Sequence, residues 1–206
     1  MKCLVINCAM NELGKIRELV QAISAFSKVV EIRFRDINAY YEVAGDIDAV
    51  VLSGSKARIV EASHRDHFKE TVELLKRVDV PKLGICYGYQ LVCWSLGCQM
   101  ASLKEPVIGR FEDVRILETD DLFQGFKKYQ IAHLAQSHND YVVKYSVDSA
   151  GLVLLADSPS CEVEAVKHRK SAFYGVQFHP ERTKIGDQVC SEGQTIIKNF
   201  FNIVRK

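Results

Sequence analysis

The stretch Lys82-Leu83-Gly84-Ile85-Cys86-Tyr87-Gly88-Tyr89-Gln90 constrains this chain more than any other. A short apolar run, a cysteine and a helix-forming segment from Gln90 to Leu96 follow one another with almost nothing between them. A strand that becomes a helix without a loop does so on a sharp elbow, which lifts the turn side chain clear of the strand end. Gly84 and Gly88 flank Cys86 at i−2 and i+2, where side chains would collide as the backbone folds back. The first N–H groups of the helix then point at the sulfur, and that positive end favours negative charge there. The pattern also fits a buried cysteine at a tight turn, because free cysteine is among the most buried residue types.

A second stretch separates the two readings. Tyr174-Gly175-Val176-Gln177-Phe178-His179-Pro180-Glu181 is another short apolar strand, ending in a histidine followed two residues on by a carboxylate. A cysteine nucleophile needs a base, and the base needs an orienting group. Cys86, His179 and Glu181 supply the set, each just past the end of an expected strand. Pro180 disfavours helix at His179 and holds the imidazole at the strand end.

Taken in order, Lys2 to Asn7 reads as a buried strand and Asn11 to Phe26 as an amphipathic helix with Leu13, Ile16, Leu19, Val20 and Ile23 inward. Val29 to Phe34 reads as a strand, Asp48 to Ser53 as one covered on both faces, and His64 to Val78 as a helix. Strands alternating with helices imply an α/β fold with a mostly parallel sheet covered by helices. From Phe111 onward short strands crowd together: 111–117, 129–134, 141–145, 151–156, 163–168 and 171–177, the last two forming a hairpin across His168-Arg169-Lys170. An added antiparallel subsheet in the C-terminal half is therefore expected, then a closing helix from Ser191 to Val204. With no repeat or linker, residues 1–206 read as a single domain.

Composition excludes several classes. Lys and Arg total 27 against 26 Asp and Glu, a net charge of +1, so no electrostatic footprint for nucleic acid or anionic membrane exists. No apolar run reaches the ~20 residues of a membrane span, and Met1 to Cys8 is too short and strand-like for a signal peptide. The cysteines number 7, without paired spacing, which reads as reduced thiols in a cytoplasmic protein. His64 and His67, at i and i+3, lack a third ligand nearby and are not read as a metal site. Lys167-His168-Arg169-Lys170 reads as a solvated basic hairpin tip.

G-I-C-Y-G-Y-Q together with Q-F-H-P-E resembles the class I (triad) glutamine amidotransferases, and the resemblance covers nearly the whole chain. Ser137-His138-Asn139-Asp140 resembles the S-H-x-D segment of the GMP synthetase branch. Cys161 to His168 resembles the strand before the catalytic histidine in its separately encoded, archaeal-type subunits. The resemblance implies a flavodoxin-like sheet and glutamine hydrolysis through a thioester on Cys86, with His179 as base and Glu181 as its orienter. The backbone N–H of Tyr87, next after the nucleophile, is one expected oxyanion donor. The second, by resemblance, comes from Gly54 and Ser55. By the same resemblance Gln90 helps hold the substrate, and the backbone of Ser137, Asn139 and Asp140 grips its α-amino and α-carboxyl groups.

The loop Ser53-Gly54-Ser55-Lys56 departs from the family's usual S-G-G-P, losing freedom at one position and rigidity at the next. Neither a P-loop nor an S-G-G-x-D-S motif is present, so no cofactor is expected in this chain. ATP and Mg are expected on a separate ATP-dependent synthetase partner, of the ATP pyrophosphatase type that makes GMP from XMP. The same residues serve anthranilate, aminodeoxychorismate and imidazole glycerol phosphate synthesis, and the fold also serves stand-alone γ-glutamyl hydrolases and peptidases. A non-catalytic protein that keeps the fold is a further alternative, supported only by the altered loop.

Overall fold

In β1 (Lys2–Asn7) neighbouring side chains serve opposite layers of the molecule. Cys3 and Val5 enter one apolar cluster with Leu19, Ile23, Phe200 and Phe201, while Leu4 and Ile6 enter another with Phe68, Leu75 and Tyr87. This is the reason the strand is apolar throughout rather than alternating: helices cover both of its faces. The computed structural model describes residues 1–10, 16–38, 46–119 and 121–206.

Around β1 the chain lays β2 (Lys28–Arg33), β3 (Ala49–Leu52) and β4 (Lys82–Ile85) in parallel, and β9 (Phe173–Val176) joins β4 in the same direction. The connecting helices are α1 (Arg17–Ser24), α2 (Ala62–Asp66), α3 (Lys69–Arg77) and α4 (Tyr87–Ser95). Beyond β9 the sheet turns antiparallel through β8 (Ala165–His168), β7 (Leu152–Asp157), β5 (Met100–Ile116) and β6 (Ile131–Val142). The full order is β2-β1-β3-β4-β9-β8-β7-β5-β6. A small hairpin of β10 (Lys184–Ile185) and β11 (Gln188–Val189) precedes α5 (Glu192–Val204), which packs on the α1 side. Although β6 is four strands from β9 in this order, the Ala135 carbonyl accepts the His179 N–H at 2.7 Å. The sheet therefore curls until its far edge lies over the C-terminal ends of β4 and β9.

Several boundaries differ from the sequence expectation, each for a packing reason. The helix expected from His64 to Val78 breaks between α2 and α3. Phe68 there turns fully inward, its ring centroid 4.3 Å from that of Phe34 and 4.8 Å from that of Tyr87. The helix expected to begin at Gln90 begins at Tyr87, directly after the cysteine. The strand expected from Phe111 begins at Met100, because its first half pairs only with β6 and absorbs Pro106 and Gly109 in register shifts. The strands expected at 129–134 and 141–145 are one continuous β6. Of the helix expected from Asn11, residues 11–15, Leu13 included, lie outside the described residues.

The elbow is as crowded as the glycines implied. A Cβ on Gly88 would lie 2.5 Å from Leu52 Cβ and 2.8 Å from its carbonyl oxygen. Gly88→Ala is expected to lower stability by about 1–3 kcal/mol, the usual range for overpacking. An unchanged urea midpoint would mean that α4 stands off β3 more than its glycine requires.

Candidate active site

Cys86 sits at the N-terminus of α4 with φ +51° and ψ −109°, one of few non-glycine residues with positive φ. Such a conformation costs roughly 1–3 kcal/mol and survives only where the surroundings over-determine it. Here the Cys86 N–H donates to the Val176 carbonyl at 2.8 Å, and the Cys86 carbonyl accepts the Gln90 N–H at 3.0 Å. The parallel pairing of Ile85 with Val176 then brings His179 beside the cysteine.

His179 Nδ1 lies 2.7 Å from Glu181 Oε1, with the two side chains only 7% and 8% exposed. A carboxylate on Nδ1 assigns the proton to that nitrogen and leaves Nε2 for the sulfur. The Cys86 sulfur is the other group that acts on the ring. Burial pushes the imidazole pKa down, but the Glu181 carboxylate and then the Cys86 sulfur outweigh it, and the net shift is upward, to about 10. Burial likewise opposes charge on Glu181, yet His179 holds that carboxyl below its usual range. The pair is arranged to carry a proton on imidazole beside an anionic partner.

Cys86, His179 and Gly54 face a cleft of about 520 Å³ that Gln90, Ser55, Ser137, Asn139 and Asp140 also line. A Cβ on Gly54 would stand 2.8 Å from His179 Cε1 and 3.4 Å from Cys86 Cβ, so this backbone forms the wall against those two residues. Tyr87 is the first residue of α4, where helix geometry leaves the N–H without an intrahelical acceptor. The residues read from the sequence as catalytic or substrate-binding thus gather around one cleft. The Ser137 carbonyl lies 3.6 Å from Cys86 Sγ. Gln90 is nearly buried and donates to the Asp140 carbonyl at 2.6 Å and to Gln177 Oε1 at 2.9 Å. The Asp140 carboxylate is engaged by Arg58 and Ser102 rather than open to the cleft.

Three polar residues here were given no role in the sequence. Gln177, fully buried, reaches Cys86 Sγ with Nε2 at 3.7 Å. Its place two residues before His179, on the same face of an extended segment, could have revealed it. His138 is buried with Nδ1 3.2 Å from the Asp140 carbonyl. Arg58, far away in sequence, carried no signal at all. Elsewhere, His64 Nδ1 accepts the Arg58 N–H at 2.9 Å, and the described residues hold no cluster of three metal-ligating side chains. In the basic hairpin tip Lys167 pairs with Asp121 and Arg169 with Asp148.

The remaining cysteines have other surroundings. Burial pushes the Cys3 and Cys8 thiols up to about 12 and raises Cys93, Cys161 and Cys190. Cys98 is lowered by a hydrogen bond from Cys93 but is only 4% exposed. An electrophilic glutamine analogue should therefore modify Cys86 first, as read by mass spectrometry of briefly treated protein. Equal labelling of Cys190 or Cys98 would count against Cys86 as the nucleophile.

The arrangement is that of a cysteine nucleophile and its base on an α/β sheet. Residues 4–204 match the family model Glutamine amidotransferase class-I, and the chain belongs to that family. It is similar to a glutamine-hydrolyzing GMP synthase subunit of Sulfolobus acidocaldarius, 32% identical over 161 residues, 78% of this chain and 79% of that protein. The corresponding protein of Methanothermobacter thermautotrophicus is 35% identical over 134 residues, 65% of this chain and 66% of that protein. Against the glutamine-hydrolyzing GMP synthase of Brachyspira hyodysenteriae the match is 30%, covering 88% of this chain but 35% of that longer protein. In fold, the chain is similar to the crystal structure of a protein from Thermoplasma acidophilum. The TM-score is 0.81 at 22% identity, over 100% of this chain and 94% of that one. Among the described residues no helix is long and apolar enough to cross a membrane.

Proposed function

We propose that this chain is the glutaminase component of a two-chain GMP synthetase, working in the cytoplasm. It hydrolyses glutamine to glutamate and hands the ammonia to a separate chain of the ATP pyrophosphatase type, which uses ATP and Mg to convert XMP to GMP. The observation that carries this reading is the Cys86–His179–Glu181 constellation on a strained elbow, in a chain of which relatives of similar length are glutamine-hydrolyzing GMP synthase subunits.

Cys86 Sγ attacks the side-chain amide carbon of glutamine, and the carbonyl π electrons move onto oxygen. N–H groups at Tyr87 and in the Gly54–Ser55 loop are the donors for that oxyanion, each worth about 10²–10³ in rate. His179 gives its Nε2 proton to the amide nitrogen as the C–N bond breaks, and ammonia leaves a γ-glutamyl thioester. His179 next takes a proton from water, whose oxygen attacks the thioester carbon. The C–S bond then breaks, releasing glutamate and restoring the sulfur. Glu181 keeps the imidazole oriented and supports its charge through both steps.

Glutamate release by the purified chain, with and without the synthetase, ATP and XMP, tests the proposal. Slow release alone and marked acceleration in the complex are expected, with GMP formed from glutamine. Full activity without the partner would favour the stand-alone γ-glutamyl hydrolase instead.

A further inference from the structure

The loop from β3 to α2 forms the wall against Cys86 and His179, yet at Ser55 and Lys56 it has neither the glycine nor the proline of the S-G-G-P pattern. Other bonds hold it. Ser53 Oγ accepts the Cys8 N–H at 2.9 Å, and Ser55 Oγ accepts the Ala57 N–H at 3.0 Å, closing a side-chain turn where the pattern has a rigid ring. The strongest tie is at the loop's far end. Arg58 Nε lies 3.0 Å from both Asp140 carboxylate oxygens and Nη2 lies 2.6 Å from Oδ1, while Nη2 also donates to Ser102 Oγ at 2.9 Å. Ser102 Oγ in turn donates to Asp140 Oδ1 at 2.9 Å.

Asp140 is 2% exposed, and a carboxylate so buried needs a partner that satisfies it. Its backbone carbonyl holds Gln90, Gln90 holds Gln177, and Gln177 reaches the nucleophile. One guanidinium therefore joins the loop, β5 and β6 to the polar chain that ends at Cys86 Sγ. Its planar fork fixes both distance and direction, which a point charge would not.

We infer that Arg58 is a positioning residue: through Asp140 it holds the oxyanion loop in register with Cys86, replacing the rigidity lost at Ser55 and Lys56. The inference rests on the glutaminase reading above. It also assigns the Asp140 carboxylate to the loop rather than to the substrate. A displacement of about 1 Å at a reacting group can cost about 10²-fold in rate, so the effect belongs to kcat more than to KM.

The test uses the full chain with its synthetase. Arg58→Ala is expected to lower kcat for glutamate release by about 10–10²-fold with a smaller change in KM. Arg58→Lys should recover only part of it. Adding Ser55→Gly and Lys56→Pro to Arg58→Ala should restore most of the loss, which no purely structural role of Arg58 would produce. Wild-type kcat in Arg58→Ala, or no recovery in the triple variant at an unchanged urea midpoint, would overturn the inference. Should Arg58→Ala not fold, Ser102→Ala removes two hydrogen bonds but leaves the Arg58–Asp140 ion pair, and is expected to lower kcat by about 3–10-fold. Wild-type kcat in Ser102→Ala would then overturn it. Failure of the glutaminase reading looks different, because the wild-type complex itself would release no glutamate. The rate at which an electrophilic glutamine analogue labels Cys86 would then still compare Arg58→Ala with wild type, and equal rates would likewise overturn the inference.

Discussion

Replacing His179 with alanine is expected to slow glutamine hydrolysis by about 10²–10⁴-fold, the range for a positioned general acid–base. Synthesis from added ammonium by the same complex should be unchanged, since that route needs no proton from this imidazole. The substitution also has a pH signature in stability. His179 is raised above its usual 6.5 to about 10, so its contribution is complete below pH 6.5 and is lost as pH climbs through the raised value. Glu181 is lowered from its usual 4.5, so its contribution is complete above that value and is lost as pH falls through the lowered one. The gap in urea midpoint between wild type and His179→Ala should therefore be widest between about pH 4.5 and 6.5 and should close toward pH 10. A gap constant across that range would mean that the His179–Glu181 pair carries no net charge coupling in the folded chain.

The parallel half of the fold was legible because its strands are apolar on both faces and its helices periodic, so burial and sequence carry the same information. The elbow was legible for a different reason: Gly84 and Gly88 mark where backbones touch, and the contacts at Tyr89 and Leu52 bear that out. The C-terminal half was harder. Residues of β5 between Met100 and Gly109 are mostly exposed and include Pro106, so neither apolar alternation nor propensity signals a strand there. In β6 the buried residues Gln136, His138 and Asp140 interrupt the apolar pattern, and the run reads as a gap between two short strands. His138 and Asp140 are buried because the curled sheet carries them to the cleft, and Gln136 because it donates to the buried Glu164, long-range events that local pattern cannot report.

The site divides in the same way. Cys86, His179 and Glu181 could be singled out because nucleophilic chemistry needs those side chains at strand ends, and the pairing of β4 with β9 brings them together. Arg58 was missed because its meaning lies in Asp140, which is remote in sequence and joined to it only by the fold. At Asp140 the expected role fell to the backbone, and the fold gives its side chain a partner of its own in the loop.

The central claim is a division of labour: this chain makes ammonia at Cys86, and a separate chain consumes it. Cys86 has no other task in that scheme, and its sulfur forms the only covalent bond to glutamine. Without it the remaining donors can polarise a carbonyl but supply no nucleophile to attack it. The direct measurement is GMP formation from XMP and ATP by the complex carrying Cys86→Ala, supplied with either glutamine or ammonium. The expected result is no detectable product from glutamine and wild-type rates from ammonium. If the variant still used glutamine, or lost both nitrogen sources equally, the division of labour would be contradicted.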